Sequence, residues 1–150
     1  MKFLIASFLL LSLSIQAKSQ TAEDSVKAVV NQLFTAMKTS NAELLLSGFG
    51  DSAILQTIIA NKEGVIIVKN ESVKGFANSL KSAPSGSLDE RIRFDMIKID
   101  GALASVWTPY SFYYNNKFSH CGVNSFQLIR TLSGWKIQYL IDTRRKTGCL

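Results

Sequence analysis

Trp107-Thr108-Pro109-Tyr110-Ser111-Phe112-Tyr113-Tyr114, then Asn115-Asn116, then the run from Lys117 through Ser119-His120-Cys121-Gly122-Val123 to Phe126-Gln127-Leu128-Ile129-Arg130, reads as two long strands joined by a tight turn. Aromatic and β-branched residues fill both runs, and paired asparagines accept the left-handed backbone that a short hairpin turn requires. The same punctuation recurs at Asp100-Gly101 and at Ser133-Gly134. From Leu88 to the end the chain therefore reads as four antiparallel strands following one another in a meander. At roughly ten to fourteen residues each they exceed the usual five or six, so they must bend to stay on one core. Pro109, which cannot donate to a ladder, and Gly122 are the expected bend or bulge positions.

Upstream the period changes. Thr21 with Asp24 three residues on has the form of a capping box, and Val26, Val29, Val30, Leu33, Phe34 and Met37 follow the helical repeat. Ser40 or Asn41 can cap a second, short helix through Leu44, Leu45 and Leu46, ended by Gly48 and Gly50. The segments Ala53 to Ile59 and Val65 to Val68 flank Ala60-Asn61-Lys62-Glu63-Gly64 and read as a hairpin. A third helix runs through Val73, Phe76, Ala77 and Leu80, and Pro84 stops it. The order helix, helix, hairpin, helix, four strands predicts an α+β fold, a cone-shaped roll in which a strongly curved, mostly antiparallel sheet wraps the first helix and leaves a cavity at its open end.

The chain has 150 residues, 47% of them apolar and 19% charged, the composition of one compact domain. Met1 and Lys2 precede thirteen residues, Phe3 to Ile15, broken only by serines, with Ala17 and Ser19 at the small-residue positions before a cut at Gln20. Such a run is shorter than the roughly 20 residues of a membrane span and reads as a signal peptide over residues 1–19, with a domain over 20–150. An exported, periplasmic or secreted protein with no stable membrane anchor is expected. Without Lys2 and Lys18 the basic residues number 15 against 11 acids. That mild excess is dispersed except at Arg144-Arg145-Lys146, and no basic stripe with interleaved aromatics marks a nucleic-acid partner. The two cysteines, Cys121 and Cys149, favour a disulfide in an exported chain. One histidine beside such a bond supplies no zinc set, and no cofactor motif is present.

Trp107 to Tyr114, Ser119 to Val123, Phe126 to Arg130, Gly134-Trp135-Lys136-Ile137 and Asp142-Thr143-Arg144-Arg145 together resemble the lumazine-binding branch of the SnoaL-like proteins, within the nuclear transport factor 2-like superfamily. The resemblance covers about residues 22 to 146 and implies the same cone-shaped roll. It selects no chemistry, because the superfamily holds isomerases, dehydratases, epoxide hydrolases, cyclases and non-catalytic adaptors.

His120 is the sole histidine, and by strand parity it shares a face with Asn124, Phe126 and Leu128. With Asp142 as orienting carboxylate and Tyr110 as donor to an oxyanion, it is the candidate base of an isomerase, dehydratase or cyclase. The ligand-binding reading puts Trp107, Tyr110, Phe112, Tyr114, His120, Asn124 and Arg144 around a small, largely apolar molecule, in a cavity of roughly 300 Å³ or more. A third reading is an interaction module, because so broad a sheet invites a second copy and a homodimer.

Overall fold

The computed structural model describes residues 21–149, so the signal-peptide reading of residues 1–19 lies outside the described residues. Helix α1, Ala22–Thr39, begins on the expected box: Thr21 Oγ1 accepts from the Asp24 amide at 3.0 Å, and Asp24 Oδ2 accepts from the Thr21 amide at 3.3 Å. Asn41 caps α2, Ala42–Gly48, by accepting from the Leu44 amide, and Ser72 caps α3, Val73–Lys81, in the same way through Gly75. Each such cap stabilises its helix by about 1 kcal/mol.

The strands are β1 (Phe49–Ala60), β2 (Ile66–Glu71), β3 (Leu88–Ile92), β4 (Met96–Asp100), β5 (Leu103–Tyr114), β6 (Lys117–Thr131) and β7 (Gly134–Thr143). They form one sheet in the order β2-β1-β7-β6-β5-β3, with β4 also on β5. All neighbours are antiparallel except β1 and β7, the first and last strands, which run parallel. Parallel pairing with β7 starts β1 at Phe49, four residues before the apolar run from which the strand was read.

The four expected strand lines are present, with the first one broken. Ile92 pairs with Tyr110 and Met96 with Trp107, so β3 and β4 lie end to end along β5 with one extra residue between them. The break faces Pro109: the Arg93 amide donates to the Pro109 carbonyl and the Asp95 amide to that of Trp107, both at 3.0 Å. A proline with no N–H to offer is a position where a partner strand can bulge without losing a bond.

The inner face of the sheet closes on α1. Val26, Val30, Leu33 and Ala36 pack with Val106, Phe126, Leu128 and Ile137, all nearly inaccessible, and Phe34 meets Phe126 edge to face at 6.2 Å. Lys38 at the end of α1 pairs with the buried Asp89 on β3 at 3.0 Å, tying helix to sheet edge. Among the described residues no helix is long and apolar enough to cross a membrane.

Cys121 and Cys149 are bonded, with Cα atoms 5.8 Å apart, and Cys121 and Arg145 exchange two backbone hydrogen bonds at 2.9 Å. The bond closes a 28-residue span across β6 and β7 and pins the segment after β7. Replacing both cysteines by serine is expected to lower stability by about 2 kcal/mol, below the chain-entropy ceiling because the freed segment is short and terminal. Denaturant melts of oxidised and reduced protein check this, and two titratable thiols in the unfolded, unreduced protein would refute the bond.

Candidate functional site

The chemistry gathers at the mouth of the cone, where five strands and the segment after β7 each deliver a polar side chain to the inner face. Leu88, Glu90 and Ile92 alternate with Asp89 and Arg91 on β3, so Glu90 points inward in an otherwise apolar row. Its Oε1 accepts from Asn124 Nδ2 on β6 at 2.8 Å. Asn124 stands beside Asp142 in the β6–β7 pairing, and Thr57 beside Asp142 in the β7–β1 pairing. Asp142 is the hub: Oδ1 accepts from Thr57 Oγ1 at 2.6 Å, and Oδ2 accepts from Arg144 Nε at 3.0 Å. Arg144 also reaches Thr57 Oγ1 through Nη2 at 3.3 Å.

Tyr110 completes the group from β5. Its phenol donates to the Thr143 carbonyl at 2.9 Å, with Asp142 Oδ2 3.2 Å away. The ring crosses the inner face over Gly122, its cross-strand partner, and an added Cβ at Gly122 would lie 2.8 Å from Tyr110 Cε1. Glycine is the residue that lets the ring lie there.

Between this group and α1 lies a cavity of about 70 Å³. Leu33, Met37, Leu55, Phe76 and Leu140 form its apolar side, and Glu90, Asn124, Asp142 and Arg144 its polar side. Thr57, Glu71 and Arg144 also line an adjoining groove of about 330 Å³ on the outside, so Arg144 stands at the boundary between the two. The cavity is well below the roughly 300 Å³ of a pocket for a drug-sized molecule.

Electrostatics single out Glu90. Burial pushes its carboxyl up to about 7; the Asn124 bond and the Arg144 charge oppose this, and Asp142 adds to it. Glu90 is half-buried and lines the cavity. Burial, followed by the charges of Asp142 and Glu90, raises the Tyr110 phenol far above its ordinary value, so it stays protonated. For Arg144 burial works against the charge, but Asp142 more than compensates and raises its affinity for the proton.

Of the seven residues expected to bind a ligand, Asn124 and Arg144 line this cavity. Tyr110 closes the adjacent wall with its phenol already engaged. His120 keeps the expected inward parity but lies beyond Tyr110, stacked edge-on to it at 5.8 Å and tilted over Phe112 at 4.9 Å. Its Nδ1 is 3.0 Å from Ser119 Oγ, and among the described residues it has no ion pair or hydrogen bond with Asp142. Burial first, then the charge of Arg144, lower its proton affinity; Asp142 pulls the other way, and Lys146 adds a smaller lowering. The three candidate catalytic groups are thus split: Asp142 and Tyr110 touch, and His120 lines a separate groove. Trp107 is on the outer face, 41% exposed, and Tyr114 is exposed at the end of its strand. The aromatic run contributes core and outer surface, while the cavity wall comes from β1, β2, β3, β6, β7, the segment after β7 and two helices. Gln56, Thr57, Glu71 and Glu90 are the polar lining residues that the sequence reading passed over. An acid in step with Leu88 and Ile92 was the available signal for Glu90.

No family model and no curated protein matches this sequence. Solved structures do match in shape. An NTF2-like protein of unknown function from Shewanella baltica OS155 aligns over 83% of this chain and 94% of its own, with 12% identity and a TM-score of 0.65. A domain of unknown function with a cystatin-like fold from Nostoc punctiforme PCC 73102 aligns over 87% and 82%, with 17% identity and a TM-score of 0.66. An NTF2-like protein from Methylobacillus flagellatus KT aligns over 89% and 99%, with 17% identity and a TM-score of 0.64. With the helices inside the curved sheet and the strand order given above, the chain has the nuclear transport factor 2-like, cystatin-like fold.

Proposed function

We propose that the protein is an exported domain of the SnoaL-like kind that binds one compact small molecule at the mouth of the cone. The apolar part of the ligand rests on Leu33, Met37, Leu55, Phe76 and Leu140, and a hydrogen-bond-donating end meets Glu90. The observation that supports this reading is Glu90 itself: a half-buried carboxyl, raised to about 7 by desolvation, whose Oε1 accepts from Asn124 and whose side chain lines the cavity. Desolvation of such a group is costly, and a ligand donor bonded to the carboxyl offsets part of that cost. The size of the cavity favours a smaller and more polar ligand than the flat apolar molecule first expected. Export is supported by the disulfide, which persists in oxidising compartments.

Butylamine, butanol and butyrate serve as probes. The first two are expected to raise the melting temperature saturably and butyrate is not, because an added anion meets Glu90 and Asp142. Met37→Trp, which fills the cavity, is expected to abolish the response. Equal shifts from all three, or a response retained in Met37→Trp, would contradict the reading.

A carboxyl near 7 also suits proton transfer, and this favours a second reading, an acid–base enzyme with Glu90 in the role first assigned to His120. Any turnover would then follow a pH profile centred near 7 and be lost in Glu90→Gln with binding retained.

The outer sheet face supports a homodimer. Met96 pairs with Trp107 and Leu103 with Ile129 on that face, and all four are at least partly open to solvent. Placing lysine at both Trp107 and Ile129 is expected to weaken self-association at least about tenfold, the loss of roughly 1.4 kcal/mol. Sedimentation velocity reads this directly, and a wild type that is monomeric at high concentration would remove the dimer.

A further inference from the structure

A second concave surface carries positive charge with no acid on its wall. A groove of about 510 Å³ lies between the end of β1 and the segment after β7, with Ile59 on one side and Ser119, His120, Arg144, Arg145 and Lys146 on the other. Asp142 neutralises Arg144 from the cavity side. Arg145 and Lys146 form no ion pair among the described residues.

The basic run is held and not loose. The Arg144 amide donates to the Ile58 carbonyl at 3.2 Å, Arg145 is bridged to Cys121 through both backbone groups, and Arg145 Nε donates to the Gly148 carbonyl at 3.3 Å. The Cys121–Cys149 bond then ties the far end of the segment to β6. The Arg145 guanidinium, held in this way, loses little freedom when an anion arrives. Ser119 Oγ lies 3.0 Å from His120 Nδ1, and in the tautomer in which that hydroxyl donates, the ring proton sits on Nε2, which has no hydrogen-bond partner among the described residues. Burial is the first cause of the depressed proton affinity of His120 and the Arg144 charge the second; Asp142 opposes them, and Lys146 adds a smaller push in the same direction as Arg144. The neighbouring groove, which shares Ile59 and Arg144, adds Lys69 and a single acid, Glu71.

We propose that this groove is a second binding site, separate from the cone cavity, that takes a small oxyanion, a phosphate or carboxylate group, on Arg145, Lys146 and His120 Nε2–H. Guanidinium and ammonium groups in a cleft bind such anions by charge-assisted hydrogen bonds, and the field is stronger there than on an open surface. An apolar wall at Ile59 leaves room for the organic part of an ester or acid.

His120 is the sole histidine, so imidazole NMR reads the site without an assignment problem. The titration is run in sodium chloride, then with inorganic phosphate or succinate at equal ionic strength, because screening alone alters surface charge effects. The expected result is a saturable rise in the His120 midpoint by about half a pH unit with at least one anion. Binding is expected to weaken about fivefold or more in Lys146→Gln and in Arg145→Gln, each checked for native far-UV circular dichroism. A response to phosphate alone or to succinate alone identifies the head group. A midpoint no different from that in chloride, or variants that bind as tightly as the wild type, would overturn the proposal.

Discussion

Gly122→Ala is expected to cost about 4 kcal/mol and to lower the melting temperature by more than about 10 °C, in the range of severe overpacking and backbone displacement. The added Cβ would overlap the Thr143 carbonyl oxygen, a backbone atom that no rotamer change can move, and would press on Tyr110 Cε1. That same carbonyl accepts the Tyr110 phenol, and the neighbouring Asp142 holds Thr57 and Arg144. Relief by shifting β7 would loosen the whole polar group at once. Gly101 is the control, since nothing lies within 4 Å of its added Cβ and its positive φ of 55° is a conformation that asparagine tolerates. Gly101→Asn is expected to cost under about 1 kcal/mol. Equal losses in the two variants, measured by urea melts, would mean that the close approach of β6 and β7 is not tight.

Stability should fall by about 2.5 kcal/mol between pH 5 and pH 8 through Glu90 alone, and Glu90→Gln should remove that fall. The carboxyl titrates near 4.5 in a model environment and near 7 when folded. The folded state therefore holds the proton more tightly. The contribution is fully present below about 4.5 and is lost as pH rises through 7. At pH 8 the folded chain carries a buried carboxylate, and glutamine, which can still accept from Asn124, relieves it. His120 titrates in the same window with the opposite sign: its folded affinity for the proton is lowered, so its contribution is lost as pH falls. Comparing wild type with Glu90→Gln isolates the carboxylate. Parallel stability curves for the two proteins from pH 5 to 8 would show that Glu90 titrates as an ordinary surface acid.

Local features of the sequence carried most of the fold. The Thr21–Asp24 box and the Val26 to Met37 periodicity define α1 because capping and helical repeat are written in adjacent residues. Asn115, Asn116, Gly101 and Gly134 all have positive φ, as their turn dipeptides require, and these turns set the meander. The break between β3 and β4 was not legible, since nothing in Arg93-Phe94-Asp95 differs from a strand; it depends on Pro109 in the partner. Cysteine count pointed to the bond at Cys121 and Cys149, and the fold brings the two within reach.

The site was legible only in part, for a physical reason. Thr57 and Asp142 are 85 residues apart and meet only through the parallel β1–β7 pairing. Asn124 and Asp142 could be placed by strand parity, but Glu90 required noticing one acid in an apolar row. The aromatic run drew attention because such residues often line pockets. Here Gly122 lets Tyr110 lie across the sheet and fill the space that the others would have lined, and Trp107 is left on the outside.

The most direct measurement of the central claim is native mass spectrometry of wild type and Met37→Trp, each purified without denaturation from the protein's own host. The account predicts that wild type carries an added small mass which collisional activation removes, and that Met37→Trp, folded by circular dichroism, carries none. Wild type that flies as the bare chain, or the same added mass on Met37→Trp, would contradict binding in the cone cavity.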